Sequence, residues 1–347
     1  MIMDTVMMGL DKNLIGQKLE KDVYSETGIL VVAAGTYISE KVYQKMESYF
    51  INNVHIKKKE TKDKKYQDYA VIKSTYLKNV DVMKTVLKEI SLNGTVDDEM
   101  IMDMTNSITL HSQKMGYFID CIHDLKSADE YTYNHSINVA VYAMLIGSWM
   151  KLPEIDIQYL VLAGILHDVG KSKIPNEILN KNTRLTDEEF AIMKKHSHLG
   201  YCIVKDMENI PEDVKKAVLM HHEKLDGSGY PLRCKSKQIP KFAQILAVAD
   251  VYDALTSKRV YKDKITPFET FKEMSKMGYS HFAPDVLMTF LKNIVYYYVG
   301  FKLKLNTGEI GEILYVSPLN NYQPLIKVED KVIDLSLDKR YSILEMV

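Results

Sequence analysis

Two consecutive apolar segments, INVAVYAMLIGSWM (137–150) and QYLVLAGILHD (158–168), decide the fold. Both are apolar around most of a helical circumference, which is typical of helices buried at the centre of a bundle. The hydrophobic pattern around them is helical nearly throughout, from Tyr66 to about Tyr298, and its prolines fall where helices are predicted to begin. We therefore predict a mainly α fold with a helical bundle at its centre.

The N-terminal part of the chain has a different pattern. YSETGILVVAAGTYI (24–38) combines a turn with β-branched runs, which predicts two strands joined by that turn. EKVYQKMESYF (40–50) has apolar residues at helical spacing, and NNVHI (52–56) is interpreted as a closing strand. These features predict a small α+β unit. The charged run KKKETKDKK (57–65) then predicts a solvated linker.

After Tyr298 the period changes from helical to alternating. FKLKLNTGEIGEILYV (301–316) and IKVEDKVIDL (326–335) each alternate apolar and polar residues on both sides of a turn signal, which predicts hairpins. The C-terminal segment is therefore expected to form a small β-barrel or sheet. The predicted division of the chain is a small α+β accessory domain at 1–56, a linker at 57–65, a helical domain at 66–298 and a small β domain at 299–347.

The composition of the chain limits which classes of binding partner and which cellular compartment are expected. Over 347 residues, 45 basic side chains balance 46 acidic ones, so no overall field favours a nucleic-acid polymer or an anionic membrane. No apolar run approaches the roughly 18–20 residues of a transmembrane helix, and the start lacks the basic leader of a signal peptide. The widely spaced Cys121, Cys202 and Cys234 suit free thiols in a reducing cytosol. We expect a cytoplasmic protein.

An ordered series of histidines and aspartates in the helical region carries the chemistry. Imidazole and carboxylate groups are natural ligands of divalent metals such as Fe, Mn or Zn. Seven such groups exceed one tetrahedral site, whereas a two-metal site with a bridging carboxylate uses them all. The predicted ligands are His135, His167, Asp168, His196, His221, His222 and Asp250.

Two of these residues close apolar segments. Asp168 ends 158–168 just before Gly170, a residue suited to terminate a helix, so its carboxylate can face the bundle interior as the bridge. Asp250 closes AQILAVAD (243–250), where a buried carboxylate costs free energy unless it finds a cation. Taken alone, His135 is more simply explained as a hydrogen-bonded core histidine, and Asp250 could be a helix cap. The presence of all seven residues in order argues against a chance arrangement.

These residues carry a family resemblance. The series H…HD…H…HH…D resembles the HD superfamily of metal-dependent phosphohydrolases, and HHEKLDGSGYP (221–231) is similar to the signature of its HD-GYP subfamily. HDVGK (167–171) and ADVYDALTSKRVYK (249–262) also match that subfamily. The similarity is continuous from about Tyr131 to Phe271. It implies a phosphodiesterase that linearises cyclic di-GMP to pGpG and in some members continues to GMP.

The resemblance also implies roles for individual residues. It implies metal ligation by the seven histidines and aspartates, with Asp168 also serving catalysis. Lys171 is implied to lie against the scissile phosphate, and Arg259 and Lys262 to hold the phosphates of the ligand. Arg259 and Lys262 are three residues apart, so they share one face if this segment is helical, which agrees with a paired phosphate contact. Tyr230, in the turn 226–231, is a substrate-binding candidate, although that turn is equally well explained as a tight connection.

The sequence departs from the family in one position that bears on the metal count. Some members have a glutamate four residues before the first histidine and bind a third metal, but that position is Tyr131 here, and Glu130 is out of register. We therefore predict two metal ions, Fe or Mn, and attack on phosphorus by a hydroxide that bridges them. Candidate partners are a diguanylate cyclase with a GGDEF domain and a second copy of this chain.

Two alternatives remain open at this point. One keeps the enzyme but changes the substrate to cyclic GMP-AMP or another nucleotide, although the GYP segment argues against mononucleotides. The other is a non-catalytic protein that senses cyclic dinucleotides or docks with a cyclase. The presence of all seven predicted ligands argues against such a loss of catalysis.

Overall fold

A computed structural model describes residues 5–15, 17–36, 38–57, 62–94, 97–125, 131–257, 265–317 and 320–347. The chain forms two compact units, Met1–Gln67 and Asp68–Val347. Its described residues confirm the predicted fold class, because helices dominate and are accompanied by a small N-terminal α+β unit and a C-terminal antiparallel sheet.

The first unit combines two small antiparallel sheets with one helix. Strand β1 pairs with β4, and β2 pairs with β3. Ser39 begins the helix by accepting a hydrogen bond from the amide of Val42, and the buried Leu19, Met46 and Ile56 form part of its core. The elements are β1 (Thr5–Gly9), β2 (Val23–Tyr24), β3 (Leu30–Val32), α1 (Glu40–Ser48) and β4 (Asn53–Lys57).

The second unit is built around helices that are apolar on all sides. The helix at 131–149 packs with those at 154–166 and 241–256, and side chains such as Ala140, Leu162 and Ala249 are fully buried. Such helices fit only the centre of a bundle. The α-helices that follow α1 in the described residues are α2 (Lys62–Asn93), α3 (Asp98–Thr109), α4 (Met115–Asp124), α5 (Tyr131–Trp149), α6 (Glu154–Leu166), α7 (Asn176–Leu179), α8 (Asp187–Met193), α9 (His196–Val204), α10 (Glu212–Met220), α11 (Lys241–Thr256), α12 (Pro267–His281) and α13 (Pro284–Ile294).

The C-terminal strands form a five-stranded antiparallel sheet in the order β8-β7-β6-β5-β9. Its inward side chains, among them Leu303, Ile313 and Ile326, belong to the same buried cluster as the helices, so the sheet shares the core of the second unit. The strands are β5 (Lys302–Leu305), β6 (Ile310–Ser317), β7 (Asn320–Val328), β8 (Lys331–Asp334) and β9 (Ile343–Met346).

Within the described ranges, none of the helices has both the length and the apolar character needed to cross a bilayer.

Candidate metal centre

The structure brings together all seven histidines and aspartates that the sequence singled out. His135 comes from α5, His167 and Asp168 directly follow α6, and His196 opens α9. His221 and His222 follow α10, and Asp250 lies within α11. Their donor atoms form two groups, and within each group these atoms lie within 4.8 Å of one another. The groups are Asp168 with His196, His221 and His222, and His135 with His167 and Asp250.

Asp168 lies between the two groups. Its Oδ2 is 3.4 Å from His135 Nε2 and 3.3 Å from His167 Nε2. Its Oδ1 faces the other way, 3.4 Å from His196 Nε2. This carboxylate therefore has one oxygen directed to each group of donors, as a ligand shared by two cations requires.

The spacing of the donors suits a bound cation. His135 Nε2 is 3.1 Å from Asp250 Oδ1, and His196 Nε2 is 3.1 Å from His222 Nε2 and 3.4 Å from His221 Nε2. Two ligands of one ion, each bonded at 2.0–2.2 Å, stand about 3.0–3.4 Å apart. In addition, Asp168 Oδ1 is buried and accepts no hydrogen bond from any described residue. A buried oxygen without a donor costs free energy that a cation would recover, so these residues fit metal ions.

Three of the imidazoles are oriented by the backbone of their own helical turn. The Nδ1–H of His167 donates to the carbonyl of Gly164 at 2.7 Å. His196 and His221 donate likewise to the carbonyls three residues earlier, both at 2.8 Å. Because a carbonyl only accepts, Nδ1 carries the proton in each ring, and Nε2 keeps a lone pair directed into the site.

His135 is oriented by a carboxylate that sequence reasoning did not identify. Its Nδ1 donates to Asp253 Oδ2 at 2.7 Å, and the amide of Asn138 donates to Asp253 Oδ1 at 2.8 Å. Tyr76 in turn donates to Asn138 at 2.7 Å. Asp253 is fully buried, and it lies one helical turn beyond Asp250 in α11. That i, i+3 spacing was the only signal for it in the sequence.

Electrostatics keep the donors in the protonation states that metals require. Burial lowers the pKa of His196, and burial together with His222 lowers that of His221. Burial also lowers the pKa of His222, to about 3. For Asp168, burial alone would raise the pKa, but Lys171 and the neighbouring imidazoles hold it well below its usual value. His196, His221 and His222 are therefore neutral at neutral pH, and the carboxylate of Asp168 is ionised.

Gly170 has a different role from the one predicted. It was expected to terminate the helix, but α6 ends at Leu166, and Gly170 lies in the following short 3-10 turn, Val169–Lys173. A Cβ on Gly170 would stand 2.0 Å from the carbonyl oxygen of His196 and 2.3 Å from the amide nitrogen of Gly200. A glycine here lets the turn contact α9 directly, which brings Asp168 next to His196.

Lys171 and Tyr230 flank the donors. The ammonium of Lys171 contacts Asp168 Oδ2, and its side chain is 21% exposed, so it lies at the edge of the site. The ring centre of Tyr230 is 4.7 Å from that of His222. Burial, followed by the charges of Asp250 and Asp168, raises the pKa of Tyr230, so its phenol stays protonated. Arg259, Lys262 and Glu130 lie outside the described residues.

A buried glutamate fixes the loop that carries Tyr230. Glu223 accepts hydrogen bonds from the amides of Leu232, Arg233 and Cys234 at 2.6, 3.0 and 2.9 Å. A Cβ on Gly229 would stand 2.5 Å from three backbone atoms of residues 222–224, so the loop folds tightly onto the histidine pair. The role of Glu223 could not be predicted from the sequence, because its hydrogen-bond partners are backbone amides, which do not depend on residue type.

Comparison with known proteins finds a family match and several relatives. The family described as HD domain matches residues 120–286. A cyclic di-GMP phosphodiesterase of Pseudomonas aeruginosa is 32% identical over 244 residues, 70% of this chain and 59% of that protein. A cyclic di-GMP phosphodiesterase of Thermotoga maritima is 38% identical over 165 residues, 47% of this chain and 45% of that protein.

A third relative is named for another cyclic dinucleotide. A 3′3′-cGAMP-specific phosphodiesterase of Vibrio cholerae is 33% identical over 196 residues, 56% of this chain and 34% of that protein. The chain thus spans between about a third and three fifths of the length of these relatives.

Proposed function

We propose that this chain belongs to the HD-GYP subfamily of HD-domain proteins and is a metal-dependent phosphodiesterase of cyclic dinucleotides, with cyclic di-GMP as its substrate. The observation that carries the proposal is the placement of Asp168 between two groups of donor atoms. Relatives named as phosphodiesterases of cyclic dinucleotides support the class of substrate.

We propose that seven side chains hold two cations. Asp168 would be shared, with His196, His221 and His222 on one side and His135, His167 and Asp250 on the other. Seven nitrogen and oxygen donors without thiolates, four around each ion when Asp168 is shared, suit Fe or Mn. When bound, such ions would supply the Lewis acidity that activates water at neutral pH and neutralises charge at phosphorus.

The protein's own side chains would bind and orient the diester. Lys171, in contact with Asp168 and partly exposed, is positioned to receive a phosphoryl oxygen and stabilise the charge that develops on it. Tyr230 would bound the pocket beside His222 and offer its phenolic O–H to the ligand. Arg259 and Lys262 are proposed to hold phosphates, on the strength of the family motif alone.

The proposed reaction is one in-line displacement at phosphorus. Hydroxide derived from water would form the new bond to phosphorus, the bond to the 3′ ribose oxygen would break, and that oxygen would take up a proton. The product would be the linear dinucleotide pGpG. A second displacement of the same kind would give GMP.

The V. cholerae relative favours one alternative substrate, 3′3′-cGAMP. Both substrates have the same ring of two diesters, so the donor groups described here fit either one. Discrimination would have to come from contacts with the bases.

The experiment is anaerobic loading with Mn²⁺ or Fe²⁺, followed by chromatography of digests of cyclic di-GMP, 3′3′-cGAMP and a deoxynucleoside triphosphate. We expect pGpG from cyclic di-GMP and no change in the triphosphate. Faster cleavage of 3′3′-cGAMP would assign the alternative substrate. Binding without cleavage in metal-loaded protein would show a sensor and contradict the proposal.

We further propose a cytoplasmic location, consistent with the scattered cysteines, which are all free. A GGDEF-domain cyclase and a second copy of the chain remain the proposed partners.

A further inference from the structure

Lys194 lies near the aromatic ring of Tyr230, which in turn lies near the histidine donor His196. It directly follows α8 and precedes His196 by two residues. Its ammonium is 4.8 Å from the ring centre of Phe190 and 6.0 Å from that of Tyr230. The ring centre of Tyr230 is itself 6.3 Å from that of His196. The half-buried Lys194 is thus held beside the same wall of the site that Tyr230 forms.

The charge of Lys194 is not matched by a carboxylate within the described ranges. By contrast, the comparably placed Lys171 and Lys181 each contact an acid, Asp168 and Glu189 respectively. Two aromatic faces attract an ammonium electrostatically, which offsets only part of the hydration that the ammonium loses when it is half-buried. An anion that entered beside Tyr230 would complete the environment of this cation.

A cyclic dinucleotide has a second anion to place. It carries two phosphodiesters, and only one of them can lie against the donor groups and Lys171 at a time. The other needs cationic contacts at a distance from Asp168, and Lys194 would add to those proposed for Arg259 and Lys262. Lys194 offers an ammonium on a flexible stem, and the phenol of Tyr230 next to it is a second donor.

We propose that Lys194 is a substrate-binding residue that holds the phosphate that is not cleaved, from the Tyr230 side of the site. This inference rests on the proposed function, since it presumes a ligand with two phosphodiesters. It assigns Lys194 to binding and leaves Lys171 with the reacting phosphate.

The test compares Lys194→Met with Lys195→Met in the full chain. Methionine keeps an unbranched stem against Phe190 and Tyr230 and removes the charge, and the neighbouring Lys195 is exposed, so its variant is a matched control. We expect Lys194→Met to raise KM for cyclic di-GMP about tenfold or more, with kcat within about twofold of wild type. Bis(p-nitrophenyl) phosphate, which has one phosphate, should show no change in KM.

Lys194→Arg should keep most of the affinity, and the dissociation constant of a phosphorothioate analogue of cyclic di-GMP should rise in Lys194→Met alone. An unchanged KM and dissociation constant, or equal effects on both substrates, would overturn the inference. If wild type binds the dinucleotide without cleaving it, the proposed function fails. The dissociation constants of the two variants then still decide the role of Lys194.

Discussion

At the scale of single residues, the carboxylate of Asp168 makes the largest unfavourable and favourable contributions to the free energy of the site. It is buried, and one of its oxygens lacks a hydrogen-bond donor among the described residues. Lys171 and hydrogen bonds from the neighbouring imidazoles hold the pKa of its carboxyl well below the usual value, although burial alone would raise it. An ionised oxygen in such a place is costly in the absence of a cation and a strong ligand in its presence.

Replacement of Asp168 therefore tests the shared carboxylate. Asp168→Ala should remove bound metal and lower phosphodiesterase activity by more than about 100-fold, because a direct ligand matters more than its orienting partners. Metal content by mass spectrometry and rates on cyclic di-GMP measure this, with circular dichroism to show that the bundle is folded. Asp206→Ala is the control, since that side chain is 84% exposed. Retained hydrolysis in Asp168→Ala would refute the role.

Asp253 offers a test that separates orientation from ligation. Asp253→Asn keeps the shape of the side chain but loses the charge that holds His135 Nδ1–H. We expect metal affinity to fall about 10–100-fold, the usual effect of losing an orienting partner. Competition with a fluorescent chelator measures it, and Asp206→Asn serves as the control. Affinity equal to wild type would mean that Asp253 only packs against Asn138.

The sequence revealed the donors but not what orients them. Histidines and aspartates on apolar helices stand out, because burial of such groups needs a physical reason. The spacing of Asp253 three residues after Asp250 does not indicate that it bonds a histidine 118 positions away. Among the described residues, Glu223 accepts hydrogen bonds from backbone amides. Local patterns identify neither set of partners, so the folded chain is needed to reveal them.

At the scale of elements, the contact between the turn Val169–Lys173 and α9 sets the distance between Asp168 and His196. Gly170 permits that contact, because any side chain there would meet backbone atoms that cannot move independently. Backbone obstruction of this kind costs more than contact with a flexible side chain.

We expect Gly170→Ala to lower the free energy of unfolding by about 1–3 kcal/mol and to weaken metal binding, because α9 must move away. Denaturant titration and metal analysis measure the two effects. Gly116→Ala in α4 is the matched control, since its Cβ would make an ordinary 3.5 Å contact with Tyr297. That change should be neutral or stabilise by up to about 1 kcal/mol. Wild-type stability in Gly170→Ala would argue against the close approach.

The hydrophobic periodicity of the sequence predicted most helices and strands, but it did not predict how these elements pack against one another. The all-apolar segments in α5 and α6 predicted buried helices, and alternation after Tyr298 predicted strands. Alternation identifies the apolar face of a strand but not the surface that this face covers. The sequence therefore did not indicate that Leu303 and Ile326 would join the core of the helical unit.

At the scale of the whole molecule, the chain is nearly neutral and divides into two compact units. All seven proposed ligands come from the second unit, where they lie within, or directly after, five of its helices. Bound cations would therefore link α5, α6, α9, α10 and α11, and binding should stabilise the unit as a whole.

Chelation tests this linkage. A ligand present at about 100 times its dissociation constant adds about 2.7 kcal/mol to the stability of the folded state. For a unit of this size that corresponds to a rise in Tm of roughly 5–10 °C. Scanning calorimetry with Mn²⁺ and with EDTA should show the difference in wild type and not in Asp168→Ala. The same Tm in both solutions would contradict binding at this place.

The most direct measurement for the central claim is anomalous diffraction from crystals of the Mn²⁺-loaded protein, recorded on both sides of the manganese edge. We predict two peaks about 3.5–4 Å apart, one on each side of the Asp168 carboxylate. One peak would be bonded to His135, His167 and Asp250, and the other to His196, His221 and His222. No peak among these residues, or manganese bound elsewhere in the chain, would contradict the account.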